Sequence, residues 1–302
     1  MNLEKKLELW EKHNEKLLMH GEDHITFETW DICFNSAIAQ HIQEEQEKKH
    51  KAKKHIKNDS EIAELIRTFG GFYFSCYKHL LKLKLDKQYM FRFVYLCTLM
   101  NYDCRVEFGS AKGDNRLALE KDLQEILKLS ERECRNTKNE LIKHKLIIVN
   151  EDKTITINKK YGVRGKIDKR KLQGSVRVME LGIKELYNKA KASEHKRLGL
   201  LIEILPYINF NYNILCHNPN ESDKSKINPI NLKELCKVVG YDEKNSNRLK
   251  NDLLKIKVND KSAIAITFID KGQAISVNPS IYYKGNDMQS LKWLMILFDI
   301  FE

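Results

Sequence analysis

The sequence contains few of the features that mark flexible linkers, secretion signals or membrane spans. Only four prolines and 13 glycines occur among 302 residues, so long disordered linkers are not expected. The most apolar stretch, residues 291–301, is interrupted by Lys292 and Asp299 and is too short to cross a bilayer. Residues 1–20 are charged from Glu4 onward, which argues against a signal peptide. We therefore expect a folded cytoplasmic protein without a membrane partner.

Signatures of metal binding and of catalysis are also missing. The seven cysteines form no CxxC pair and show no Cys/His spacing typical of zinc, so buried, reduced thiols are expected. There is no GxxxxGK[ST] phosphate loop, no His-x-His pair and no HxxR segment. Tyr282 and Tyr283 follow a predicted strand, and we interpret them as packing residues rather than nucleophiles. The sequence therefore predicts no enzyme activity, no catalytic residue, no metal site and no cofactor.

Charge is distributed unevenly along the chain. The net charge is +11, but residues 1–47 hold four lysines against eleven acidic residues, so the remainder is strongly basic. A basic body indicates a polyanionic partner, although by itself this signal is weak. Residues 48–57, KKHKAKKHIK, are either a solvated helix face or a sequence-independent phosphate contact.

The acidic N-terminal part is expected to be helical. Residues 1–20 carry Leu3, Leu7, Trp10 and Leu17 at helical spacing, and a second helix is predicted to start near Thr26. Both helices have aromatic stripes that must be buried. Two interpretations stay open, namely packing on the same chain and a homodimer formed through these N-terminal helices.

Residues 130–145 and 242–257 are two copies of one helical pattern. With a shift of 112 positions, Asn-Glu-Leu-Ile-Lys at 139–143 falls on Asn-Asp-Leu-Leu-Lys at 251–255. Both copies begin with a favourable N-cap, Ser130 or Asp242, and both have apolar or small residues three and four apart on one side. The other side carries cations and amides, the side chains that bind phosphates and base edges. We predict two recognition helices.

The surrounding segments repeat as well. Each predicted recognition helix follows another helix and precedes a hairpin, which is the order of a winged helix-turn-helix. Offsets between the copies change only in loops, and the second copy is about eight residues longer between its recognition helix and its returning strand. The predicted helices around these motifs are 60–85, 86–102, 119–129 and 176–192, and the predicted hairpins are 147–158 and 264–277.

The second copy resembles a known family. Its KELCKVVGYDEKNSNRLKNDLLK segment, followed by ISVNPSIYYKG, is similar to the RepL-type winged-helix replication proteins of Firmicute plasmids, in the MarR-like winged-helix superfamily. The resemblance covers roughly residues 60–285 as two copies. The first copy departs from it, with Lys159 in place of Pro279 and Gly162 in place of Tyr282. The resemblance implies DNA binding and an origin in a mobile element.

The predicted fold class is mainly α (α+β), with two tandem winged-helix domains, each with a small β-hairpin wing, after an N-terminal helical extension. The extension is assigned to residues 1–57, the first domain to 58–165, and a connector helix, the second domain and a C-terminal helix to 166–302. The predicted function is sequence-specific binding of double-stranded DNA, in a plasmid or phage regulator of transcription or initiator of replication. The alternative is a protein-interaction module that binds host polymerase or replication proteins and has little specific DNA affinity.

Twelve residues are predicted to contact DNA. The predicted base-reading residues are Arg132, Arg135, Asn136, Asn139, Lys244, Asn247, Arg248 and Asn251, and the predicted phosphate-binding residues are Lys143, Lys153, Lys255 and Lys271.

Overall fold

The fold is α+β, as predicted, with many short helices and several small antiparallel sheets. The structure is a computed structural model that describes residues 3–20, 23–24, 26–32, 35–36, 63, 65–109, 115–165, 167, 174–269, 272–285 and 288–299. Two compact units are formed, Met1–Ser60 and Glu61–Glu302. Within the described ranges, no helix has both the length and the apolar character that a membrane span requires.

The N-terminal unit begins with the predicted amphipathic helix, α1 (Leu3–Met19). Residues 27–32 are also helical, and Lys6 of α1 donates to Asp31 over 2.6 Å. The Trp10 ring meets the edge of Phe27 at 5.8 Å, so at least part of the aromatic stripe is covered within the same chain. The homodimer through these helices stays a prediction. The lysine run at 48–57 lies outside the described residues.

A four-stranded antiparallel sheet lies at the centre of the second unit. Its strand order is β12–β7–β1–β6, in which β1 (Phe72–Ser75) pairs with β7 (Val176–Met179), and β6 (Gly162–Val163) and β12 (Tyr282–Tyr283) form the edges. The prediction of helices at 60–85 and 176–192 is therefore wrong for both inner strands. Gly70, at φ +74°, ends the preceding helical segment, and three of the four residues of β1 and all four of β7 are buried.

The first repeat, residues 72–163, contributes β1 and β6 to this sheet. After β1, its elements are α2 (Tyr77–Leu80), α3 (Lys87–Cys97), β2 (Glu107–Phe108), β3 (Arg116–Leu117), α4 (Leu123–Leu127), α5 (Glu131–Lys143), β4 (Ile147–Val149), β5 (Ile155–Ile157) and β6. Helix α3 starts at the cap Asp86, whose carboxylate accepts from the Gln88 N–H. The predicted helix at 86–102 and the predicted hairpin are thus confirmed, with shorter bounds.

The second repeat, residues 176–283, contributes the other two strands, β7 and β12. After β7, its elements are α6 (Glu180–Lys189), α7 (His195–Leu198), α8 (Leu200–Glu203), α9 (Leu232–Val239), α10 (Ser246–Leu254), β8 (Lys257–Val258), β9 (Lys261–Ser262), β10 (Ile264–Ile269), β11 (Gly272–Val277) and β12, followed by α11 (Met288–Leu297). As predicted, Tyr282 and Tyr283 are buried packing residues.

The same backbone hydrogen bonds join these elements in both repeats. Val106 N donates to Ile155 O over 2.9 Å in the first, and Leu215 N donates to Ile275 O over 2.8 Å in the second. Three further bonds of the first repeat recur at equivalent positions in the second. Ala118 N donates to Val106 O, as Ile230 N does to Leu215 O; Ile157 N donates to Cys104 O, as Val277 N does to Asn213 O; and Cys76 N donates to Tyr161 O, as Met179 N does to Ile281 O. Cys104 and Asn213 also share a left-handed backbone, with φ of 65° and 54°. The internal duplication is therefore present in the backbone as well as in the sequence.

One continuous hydrophobic core runs through both repeats. Helix α7 packs along α3, and Gly199 comes so close that a Cβ there would lie 2.4 Å from the Lys87 carbonyl oxygen. The six cysteines in the described ranges are free and buried in this interior or at its border. Each repeat completes its core with residues of the other, and residues 61–302 form one compact unit that includes parts of both predicted domains. The division into two winged-helix domains stays a prediction.

Most of the extra length of the second copy forms a small hairpin. The carbonyl groups of Leu146 and Ala263 accept equivalent hydrogen bonds and lie 117 positions apart, against 112 for the predicted recognition helices. Strands β8 and β9 fill this difference, and Asn259 and Asp260 turn between them with φ of 49° and 58°. Asn259 N donates to Glu185 of α6 over 2.7 Å, which ties the hairpin to the body of the repeat.

A side chain of each repeat also donates a hydrogen bond to the end of a short helix in the other repeat. We expect these bonds between the repeats to contribute to the free energy of unfolding. The Tyr187 hydroxyl donates to Leu127 O at the end of α4 over 2.7 Å, and Lys87 Nζ donates to Val239 O at the end of α9 over 2.8 Å. In Tyr187→Phe the Leu127 carbonyl loses this partner inside the protein. We expect the free energy of unfolding to fall by about 1–3 kcal/mol, measured by urea denaturation.

A matched hydroxyl deletion serves as the control for this prediction. Tyr102 is 75% exposed, so Tyr102→Phe is expected to change the free energy of unfolding by less than about 0.5 kcal/mol. Equal stabilities of the two variants would show that the hydrogen bond between the repeats does not stabilise the fold.

Candidate nucleic-acid interface

The two predicted recognition helices begin in the same way. The residues that follow α4 and α9, Lys128 and Gly240, both have left-handed backbone, which turns the chain sharply into the next helix. The Ser130 hydroxyl then accepts from Glu133 N, and the Asp242 carboxylate accepts from Lys244 N. The N-caps chosen from the sequence are thus confirmed, although the second helix opens with a 3-10 turn, Glu243–Asn245.

The apolar stripe of each helix faces the core, as predicted. In α5 the residues Cys134, Thr137 and Leu141 are buried, and in α10 Leu249 and Leu253 are buried. Helix α5 packs on α3 and α4, while α10 packs on α9 and β10. Because these contacts cover one side of each helix, the other side is accessible to a ligand.

All predicted contact residues on these two helices are exposed. They are Arg132, Arg135, Asn136, Asn139 and Lys143 on or beside α5, and Lys244, Asn247, Arg248, Asn251 and Lys255 on or beside α10. The structure thus places five polar side chains on each helix, at positions related by the same shift of 112.

Two of the exposed cations have carboxylate neighbours. Arg135 Nη2 lies 2.5 Å from Glu131 Oε1, and Lys143 Nζ lies 3.2 Å from Glu140 Oε1. The side chains of Arg135 and Glu131 are 64% and 75% exposed, so this pair contributes little stability. Both cations can therefore exchange a carboxylate for a phosphate at small cost.

The hairpin after α5 brings a further predicted contact to the surface. Lys153 is exposed at the tip between β4 and β5, with φ 63°. Its carbonyl oxygen accepts from Glu120 N over 2.9 Å, which fixes the hairpin to the turn before α4. The corresponding tip in the second repeat, with Lys271, lies outside the described residues.

A buried cation behind α5 was not found from the sequence. Arg92 of α3 is 1% exposed, and it donates from Nη1 to Thr137 Oγ1 of α5 over 2.8 Å and from Nε to His195 Nδ1 over 3.1 Å. Burial and the Arg92 charge lower the pKa of His195 to about 4, so the imidazole is neutral near pH 7. Arg92 therefore fixes the position of α5 relative to the second repeat.

Two lysines beside α10 were also missed. Lys233 and Lys237, on the exposed side of α9, line a surface depression together with Tyr241 and Lys244. Lys237 Nζ lies 3.0 Å from Glu243. The signal was present in the sequence, because Lys233 and Lys237 are four residues apart and fall on one face of a helix. They add positive charge beside the start of α10.

Within the part of the chain that the structure describes, no group of three His, Cys, Asp or Glu side chains is arranged to hold a metal ion. No protein-family model matches this chain, and neither does any curated protein or solved structure.

Proposed function

We propose that this protein binds double-stranded DNA sequence-specifically, with α5 and α10 as the recognition helices of two winged-helix units. The hairpins β4–β5 and β10–β11 serve as the wings. In such units the second helix of the helix-turn-helix enters the major groove, where arginine pairs with guanine and asparagine with adenine. Lysines around it bind phosphates and set the register.

One observation carries this proposal. Two equivalent helices, each after a short helix and before a hairpin, bury their apolar residues and expose cations and amides at matching positions. A helix that only supports the fold needs the buried stripe, but it does not need the same polar residue types on its outer face twice. Asn139 with Asn251 and Lys143 with Lys255 are identical pairs.

The biological role we propose is control of transcription or initiation of replication in a plasmid or phage. A single bound site beside a promoter favours transcriptional control, and iterated sites in an origin favour initiation. Footprinting across the DNA that encodes the protein distinguishes these two roles.

Salt dependence of binding tests the proposed interface. Each phosphate contact releases counterions and contributes about 0.9 to the slope of log Kobs against log salt. We expect the double variant Lys143→Ala, Lys255→Ala to lower that slope by roughly 2 and to weaken binding to all duplexes, measured by fluorescence anisotropy between 50 and 300 mM salt.

The control for the salt experiment is Lys184→Ala. Lys184 lies on α6, beside Glu180, and belongs to neither helix-turn-helix. Its slope is expected to equal that of the unaltered protein. A protein that binds no duplex at low salt, or a double variant with an unchanged slope, would refute the proposed interface and favour a protein-binding role.

A further inference from the structure

The two repeats are arranged around a two-fold axis. In the central sheet, β1 and β7 are antiparallel neighbours, and each has the last strand of its own repeat on its outer side. The pairing of β1 with β6 is equivalent to the pairing of β7 with β12. Ser75 lies opposite Gly162 in the first repeat, and at the corresponding position of the second repeat Val178 lies opposite Tyr282. Exchanging the repeats therefore maps the sheet onto itself with every strand reversed, which is a rotation of 180°.

The predicted recognition helices share this symmetry because each is fixed to its own half of the sheet by the same bonds. Asn158 Nδ2 donates to Lys145 O just after α5 over 2.7 Å, and Asn278 Nδ2 donates to Ser262 O between α10 and its wing over 3.0 Å. The helices before α5 and α10 also contact the opposite repeat at equivalent positions, since the carbonyl groups of Leu127 and Val239, 112 positions apart, both accept from it, although from different donors. A rotation that superposes the strands thus carries α5 onto α10.

We propose that a single chain recognises two half-sites in inverted orientation, together an imperfect palindrome. The inference rests on the proposed function and adds the form of the target. B-DNA has local two-fold axes perpendicular to its length, and a two-fold related pair of recognition helices matches inverted half-sites rather than direct repeats. In dimeric helix-turn-helix proteins two identical subunits supply this symmetry, and in the proposed arrangement one polypeptide supplies it.

The exposed residues define where the two half-sites agree and where they differ. Asn139 and Asn251 are identical, so the base pair that they read is the same in both half-sites. One helix turn earlier the order is exchanged, with Arg135 and Asn136 in α5 against Asn247 and Arg248 in α10. Because arginine selects guanine and asparagine selects adenine, the half-sites differ at these positions. The palindrome is therefore imperfect at defined places.

Selection from a random duplex library with the full chain tests the arrangement. The expected product is one motif with two inverted, partly matching halves. Native mass spectrometry of the selected duplex is expected to show one protein chain per duplex. A direct repeat, a single half-site or two chains on each palindrome would overturn the inverted arrangement and leave DNA binding intact.

A variant that makes the two helices alike sharpens the test. In the triple variant Arg132→Lys, Arg135→Asn, Asn136→Arg, the three residues of α5 become those of α10, and all three are exposed, so the fold is expected to be kept. Repeating the selection should turn the imperfect palindrome into a symmetric one. An unchanged motif would overturn the assignment of α5 to one half-site, whereas the absence of any enriched motif for the unaltered chain would refute the proposed function itself.

Discussion

Replacing Arg248 with alanine is expected to weaken binding to the selected DNA site by about 5- to 150-fold, which corresponds to about 1–3 kcal/mol. Arg248 is exposed on α10, one turn before Asn251 and four residues after Lys244, so it lies on the outer face of the helix. There its guanidinium can donate two hydrogen bonds to O6 and N7 of one guanine. The measurement is a competition titration with duplexes that vary one base pair at a time. Loss of preference is expected at one base pair only.

The matched control for Arg248→Ala is Lys255→Ala on the same helix. A lysine that binds phosphate makes the same contact with every sequence, so Lys255→Ala is expected to weaken binding to the selected site and to random DNA alike. Arg248→Ala should change the affinity for random DNA by less than about threefold, because its guanidinium is expected to contact a base edge rather than a phosphate. The assignment of Arg248 to base reading is wrong if both variants lose affinity for both DNAs equally.

The sequence predicted the features of α5 and α10 that depend on local rules. Ser130 and Asp242 were identified as caps because their side chains can accept the first free backbone N–H groups of a helix. The stripe with Leu141 and Leu253 followed from helical spacing, and the exposed side followed from it directly. These features need only neighbours within one or two turns, which is why a single sequence contains them.

Features that depend on distant partners were missed. The inner strands β1 and β7 are only four residues each, and each pairs with strands on both sides. Segments of four residues are too short for periodicity to distinguish a buried strand from a buried helix. The strands exist because residues about a hundred positions apart pair with each other. The two-fold relation between the repeats, on which the proposed form of the DNA target rests, follows only from that pairing.

Arg92 shows the same limit for a single side chain. It occurs in the apolar sequence MFRFVYLC, where an arginine is normally expected to face solvent. In the fold it is buried because Thr137 and His195, from two other helices, accept its hydrogen bonds. The sequence contains all three residues, but only the tertiary structure brings them together.

The contact between Arg92 and His195 predicts that the folded protein loses much of its stability in mild acid. The pKa of His195 is lowered to about 4 in the folded protein by burial and by the Arg92 charge, while an unfolded histidine titrates near pH 6.5. Between these values the unfolded chain binds more protons than the folded one, so the free energy of unfolding falls as pH falls. The contribution of His195 is roughly 2–3 kcal/mol between pH 7.5 and pH 4.5, measured by urea denaturation.

Comparison with His195→Gln isolates this contribution from the carboxylates. Glutamine stays neutral at every pH, and its carbonyl oxygen can accept from Arg92 Nε, so the variant should lose much less stability between pH 7.5 and pH 4.5 than the unaltered protein. Glu203 acts in the opposite direction, because burial raises its pKa and its protonation favours the folded state, but it is present in both proteins. The same fall in stability for both would exclude His195 as its cause. Protonated His195 would face the guanidinium that fixes α5, so specific DNA binding should weaken over the same pH range in the unaltered protein and much less in His195→Gln.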